Sequence, residues 1–553
     1  MKGRRQKREL QMEATMPDAM ISAAQPEAAE AGADVLASGG NAVDAAVACA
    51  LVQTAVDPQM CGLAGFGSMH VYLPSQNTHS FIDFHGRAPL AAKADMWVDK
   101  IIGEAEDGFG FILENRVNEV GYQSITSPMT LRALALALER HGTRDIGHLL
   151  EPAIRYCRDG VKVRPHMAQF WNDVPIYGQV PHREFLTRIP ATAKIYTDAN
   201  GDIPKVGATL KNPDMGRTLE RIATHGAEDF YTGSIAADIV ADMRAHGALL
   251  DQADLEAALP EDNAPLWITY RGHRIATNRP PGGGIMIAMM LNILEHFDLS
   301  AMEHNSADYI ATVSEAMKIA TVEKDQHVGD PRFVDVPTDH LTSAGFAAEM
   351  ADRIKRGEKT PVPRLRTGKP ESRDTTHISV VDGAGNCVSL THSIGAPSGV
   401  VTDGLGFMYN GCMAVFDPRP GRAGSLAPGK SRFTAMCPTI VFKDDQVRLV
   451  IGAPGGTFIT MGVLQGILNV IDFDMSALEA VSAPRFCTTS DTIDITNRIL
   501  RKTEKQLSAM GYPVRRAAFG FGFAGVHAVR KTSEGLDGGA DPGRDGLAIR
   551  VPL

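Results

Sequence analysis

The chain has 553 residues, 44% hydrophobic and 22% charged, the balance of a globular protein rather than a disordered one. That length exceeds one ordinary core and calls for several layers of structure or more than one domain. A net charge of −10 argues against a nucleic-acid partner, because no surplus of Lys and Arg is available to displace counterions.

The basic cluster Lys2 to Arg8 is short and lacks a following apolar run, so it does not read as a signal peptide. No stretch approaches the roughly 18 apolar residues that span a membrane, and no membrane partner is expected. Pro26-Glu27 opens a helix that Gly39-Gly40-Asn41 interrupts and Ala42 to Val47 resumes; its small residues suit close packing on a sheet. Met69 to Tyr72 and Ser80 to Phe84 read as strands around the turn formers Pro74 to Asn77. Leu131 to Gly226 is mainly helical, Ile235 to Met243 is an amphipathic helix, and Tyr270 to Ala276 a strand. Pro280-Pro281-Gly282-Gly283-Gly284 leads into an apolar helix, Ile285 to Phe297. The cluster lacks the Lys-Ser/Thr ending of a phosphate loop and reads as turn punctuation.

Glu358 to Asp374 holds three prolines, a glycine and many charges without periodicity, which marks a linker. Beyond it the pattern changes to short alternating segments, around Ser379 to Asp382, Val388 to His392, Thr439 to Lys443 and Val447 to Gly452. A last helix, Ile499 to Met510, precedes a β-like tail. The linker ends abruptly at Asp374-Thr375, before a β-branched run. That boundary suits self-cleavage, which would turn Thr375 into an N-terminal nucleophile whose own α-amine is its general base. The same run also suits an ordinary strand. Gly455-Gly456 would let backbone N–H groups approach a developing oxyanion, although a Gly-Gly turn is also a common structural device. Ser393 could support Thr375 from a neighbouring strand. The seven cysteines form no C-x-x-C pair, which fits reduced thiols and cytoplasmic residence. His166 and His304 stand alone, with no cluster at ligand spacing, and neither metal nor cofactor is expected.

Several blocks occur in one order along the chain: EAAEAGADVLASGGNAVDAAV from Glu27, FIDFHGRAP from Phe81, then His141 to Pro152, Phe230 to Gly233, Pro280 to Leu294 and Glu315 to Pro337. They continue through DTTHISVVDGAGN, YNGCM, LAPGKSRFTAMCPTIV and IGAPGG. With these blocks the chain resembles, over nearly its whole length, the γ-glutamyltransferase (glutathione hydrolase) family of N-terminal-nucleophile enzymes. The resemblance implies an α/β (α+β) fold, the four-layer αββα sandwich. It also implies cleavage between Asp374 and Thr375 into fragments 1–374 and 375–553, which stay together as a heterodimer, with a dimer of heterodimers as the larger assembly to test for. Thr375 would be nucleophile, Gly455 and Gly456 the oxyanion hole, and Ser393 a stand-in for the family's supporting threonine.

The chain departs from the pattern where the family holds a γ-glutamyl donor. His85 stands at the arginine position, with Arg87 two residues on. Thr434-Ala435 replaces a serine pair, Cys412 a glutamine, and Val415 the amine-binding aspartate. The short segment between Asp417 and Lys430 has no tyrosine to form a lid. The expectation is therefore an amidase for a small acyl amide that carries a carboxylate, held by Arg87, His85 and Thr434, but no free α-amine. The competing expectations are a true γ-glutamyltransferase or glutathione hydrolase with a rearranged amine site, and a non-catalytic member of the family.

Overall fold

In this computed structural model the described residues are 18–105, 108, 110–172, 180–364, 375–517 and 522–553. The basic cluster Lys2 to Arg8, the end of the linker and Asp374 lie outside them. The alternation after Thr375 organises the rest. Thr376–Val381 is a strand buried on both faces. Ile378 and Val380 point into one apolar core, Val381 into another.

This strand sits in a seven-stranded sheet. Its neighbours are Asp18–Ala24 on one side and Cys387–Ser393 on the other, both antiparallel. Phe66–Leu73, Thr78–Phe84 and Glu261–Asn263 continue the sheet one way, and Gly546–Pro552 closes it on the other. A six-stranded sheet faces it, with Thr439–Lys443 and Gln446–Gly452 among its central strands. Helices Pro26–Ala37 and Ala42–Val56 share a core with the outer face of the first sheet. Helices Gly284–Leu294, Ala307–His327 and Ile459–Ile471 do the same for the second. The order is helix, sheet, sheet, helix: the four-layer sandwich expected.

Local chemistry explains the boundaries. Asn41 breaks the first helical run and starts the next: its side chain accepts the Val43 and Asp44 N–H groups, while Asp44 accepts the Asn41 N–H. The strand expected from Tyr270 to Ala276 is instead a hairpin of Leu266–Tyr270 and His273–Thr277. Arg271 and Gly272 form its tip at φ 48° and 68°, the left-handed geometry of a two-residue hairpin turn. Between the sheets lies a partly polar layer. His377 bonds Thr391 Oγ1 at 2.7 Å and Ser379 Oγ at 3.0 Å, and its ring is parallel to that of His527.

Candidate active site

The register that pairs Thr376 with His392 places Thr375 and Ser393 together at the strand ends. The Thr375 hydroxyl donates to Ser393 Oγ at 3.3 Å, and Ser393 Oγ also accepts the Gly395 N–H at 2.7 Å. That second bond orients the serine. Thr375 is only 4% exposed, and what it does expose opens on a cavity of about 690 Å³, which Ser393, Gly395 and Gly456 also line.

The turn Gly455-Gly456 leads into helix Ile459–Ile471. Both glycines have positive φ, 141° and 57°. A Cβ on Gly455 would lie 2.5 Å from the Ala524 Cα, so the close approach needs glycine there. Gly456, rather than Gly455, contributes to the cavity lining. The cluster Pro280 to Gly284 packs against the lining residues Thr434 to Met436. The Gly283 N–H donates to the Met436 carbonyl, and the Pro281 carbonyl accepts the Thr434 N–H, both at 2.9 Å. It is turn punctuation that supports the segment Thr434 to Met436.

Val415, Thr434 and Ala435 line the cavity, as their positions suggest. Cys412 is buried behind it, its thiol pushed up to about 11 by burial, with Arg432 pulling the other way. Three carboxylates line the cavity among the described residues: Glu104, Asp325 and Asp417. Each is held by an arginine. Asp417 takes both prongs of Arg419, at 2.8 and 2.7 Å, while Asp325 and Glu104 face Arg364 at 2.6 and 3.5 Å.

Arg87 and His85 require a correction. Neither lines the Thr375 cavity; both line a separate one of about 350 Å³. Arg87 donates to Glu261 at 2.7 Å and to the Ala257 and Leu259 carbonyls at 3.0 and 3.1 Å, so its guanidinium ties a loop in place. His85 lies 3.4 Å from Asp83. Among the cations that do line the Thr375 cavity is one that the sequence reading does not single out: Arg432, 6% exposed, with its guanidinium 4.5 Å from the centre of the Phe66 ring. Burial pulls its pKa down from the usual arginine value. The one signal for it in the sequence was its place in the segment LAPGKSRFTAMCPTIV, two residues before Thr434.

The γ-glutamyltranspeptidase family profile matches residues 28–551. The chain belongs to this family. An acylase ACY 1 proenzyme from Pseudomonas sp. (strain V22) is 35% identical over 97% of this chain and 94% of its own. A glutathione hydrolase proenzyme from Escherichia coli is 34% identical over 84% of this chain and 80% of its own. Among solved structures, the cephalosporin acylase from Bacillus halodurans superposes with a TM-score of 0.84 at 27% identity, over 97% of this chain and 96% of that one. The family thus holds both acylases and glutathione hydrolases, each named as a proenzyme in the relatives quoted. This chain is a hydrolase of that kind. Among its described residues no helix is long and apolar enough to cross a membrane.

Proposed function

We propose that the chain is a proenzyme that cuts itself between Asp374 and Thr375 and becomes an amidohydrolase with Thr375 as N-terminal nucleophile. The observation that carries this reading is the Thr375 hydroxyl on Ser393, at the end of a strand that opens on a cavity shared with the Gly456 turn. Cleavage begins when the Thr375 hydroxyl attacks the preceding carbonyl; collapse breaks the C–N bond, which frees the α-amine and leaves an ester on the hydroxyl, and water hydrolyses that ester to release the Thr375 hydroxyl and the Asp374 carboxylate. The fragments 1–374 and 375–553 then stay together. Thr376–Val381 is paired with Asp18–Ala24, and Cys387–Ser393 with Phe66–Leu73, so the cut leaves a hydrogen-bonded sheet shared between them.

In turnover the freed amine takes the Thr375 hydroxyl proton as the oxygen attacks the substrate amide. N–H groups of the Gly455-Gly456 turn stabilise the tetrahedral oxyanion, aided by the positive end of helix Ile459–Ile471. Collapse breaks the C–N bond, and the amine returns its proton to the leaving nitrogen. Water, deprotonated by the same amine, discharges the Thr375 ester. Ser393 positions the nucleophile throughout.

The acyl group is a small one bearing a carboxylate but no free α-amine. Support comes from Val415, which offers an ammonium no acceptor, and from the pairing of Glu104, Asp325 and Asp417 with arginines. An unpaired buried ammonium would cost about 1–3 kcal/mol or more. A true glutathione hydrolase needs a carboxylate for that ammonium. The test is hydrolysis of glutaryl- against γ-glutamyl-p-nitroanilide by the processed protein. Preference for glutaryl is expected, and preference for γ-glutamyl would install the hydrolase reading instead.

A further inference from the structure

The cavity's charges are unevenly matched. Five cations line it among the described residues, Lys324, Arg364, Arg419, Arg422 and Arg432, against three carboxylates. Arg364 and Arg419 hold the carboxylates described above, Lys324 lies against Asp325, and Arg422 stands 3.7 Å from Asp417. Arg432 differs. No described carboxylate lies within 4.0 Å of its guanidinium, and its buried Nε has no hydrogen-bond partner. An arginine taken out of water without a counter-ion is strongly disfavoured, so a buried polar group left in this state needs an explanation.

Its surroundings supply one. The guanidinium lies against the Phe66 ring, which leaves its edge for a planar acceptor. Phe66 also lines the approach to Gly395: a Cβ there would meet the ring at 3.4 Å. The Gly395 N–H is bonded to Ser393, and Ser393 to Thr375. Arg432 is therefore linked to the nucleophile through three intervening residues, Phe66, Gly395 and Ser393.

We propose that Arg432 is the anchor for the substrate's carboxylate, so that the acyl groups cleaved are ω-carboxyacyl groups such as glutaryl. This rests on the reading of Thr375 as nucleophile for its turnover consequences, though anion binding by Arg432 stands apart from it. The guanidinium fork engages both carboxylate oxygens and supplies the cation that Arg87 and His85, in the other cavity, cannot. Two apolar side chains on the lining, Val415 and Met436, suit the methylene chain between the carboxylate and the scissile carbonyl.

The experiment uses purified full-length protein as wild type, Arg432→Gln and Arg432→Lys. Three readouts are compared: glutaryl-p-nitroanilide hydrolysis, butyryl-p-nitroanilide hydrolysis, and the thermal shift given by glutarate. The glutaryl-to-butyryl ratio of kcat/KM should fall at least about tenfold in Arg432→Gln, mainly through KM, and recover in part in Arg432→Lys. Glutarate should stabilise the wild type and not Arg432→Gln. An unchanged ratio with unchanged glutarate stabilisation overturns the proposal, as does an equal loss on both anilides with glutarate binding intact. Should Arg432→Gln fail to fold, Arg432→Lys decides: a KM for the glutaryl anilide equal to wild type overturns it. A wild type that binds glutarate through Arg432 but hydrolyses neither anilide would sink the nucleophile reading and leave the anion site standing.

Discussion

The Thr375 cavity and the neighbouring cavity lined by Arg87 use the same residue types to opposite ends. In the smaller one, Arg87 and Arg332 meet Glu261 at 2.7 and 3.3 Å, and Arg332 also meets Asp330. Asp83 there accepts from Ser68 at 2.5 Å and from Asn263 at 2.9 Å. Its arginines all have partners within the fold, Arg279 donating to the Ala264 carbonyl at 3.1 Å, and they bind loops to one another. In the larger cavity the carboxylates are matched but Arg432 is not, and the Thr375 hydroxyl opens on the same space. Residue type does not tell a structural arginine from one able to receive a ligand; the presence or absence of an internal partner does.

Gly455→Ala should have the largest effect on the reactive side of this comparison. A Cβ at φ 141° and 2.5 Å from the Ala524 Cα must shift the turn that faces Thr375. Loss of an oxyanion donor costs about 10²–10³ in kcat, so a kcat drop of that order is expected, read on the glutaryl anilide. A kcat within threefold of wild type would remove the turn from the mechanism.

Val415→Asp restores a carboxylate to the cavity wall. The ratio of γ-glutamyl to glutaryl hydrolysis should rise about tenfold, equivalent to ~1.4 kcal/mol of regained ammonium binding. An unmoved ratio would show that the ammonium is excluded by something other than the valine.

Arg87→Met tests the matched cavity. It breaks one ion pair and two hydrogen bonds to carbonyls, so stability should drop by about 1–3 kcal/mol in urea titrations. Acyl selectivity should not move, and a change in selectivity as large as that of Arg432→Gln would erase the distinction between the cavities.

The last contrast concerns three buried histidines, His377 and His527 between the sheets and His392 on the helix side of the first sheet, where it bonds Gln53. Burial holds His392 at about 3 and His527 at about 4, and pulls His377 down as well, with His527 and His392 adding to the shift. These rings are neutral when folded but take up protons below about 6.5 when unfolded. Their contribution is complete above that pH and is lost as pH falls toward the folded values, by about 1.4 kcal/mol per histidine per pH unit. Urea midpoints at pH 7.5 and 5.5 should show the acid sample weaker. Equal midpoints would mean that the rings protonate without unfolding.

What the sequence revealed divides along similar lines. The strand after Thr375 and its partner ending at Ser393 were legible because alternation fixes which face each residue takes. The Asn41 break was legible because its capping chemistry is local. The Arg271-Gly272 hairpin was missed because a single arginine before glycine is a weak turn signal. Arg87 and His85 were misplaced because nearness along a motif stood in for position in space. Two residues apart on an extended segment that runs past the end of Thr78–Phe84, they face the neighbouring cavity. Arg432 was passed over because its meaning lies in the lack of a partner, and only the fold brings it to Phe66 beside Ser393.

The central claim is the conversion of Thr375 from an internal residue to an N-terminal nucleophile, and intact mass spectrometry of wild type beside Thr375→Ala tests it most directly. Two fragments, the smaller beginning at Thr375, are expected in the wild type, with a single uncut chain in the variant. An uncut chain in both would deny Thr375 its amine and contradict the account.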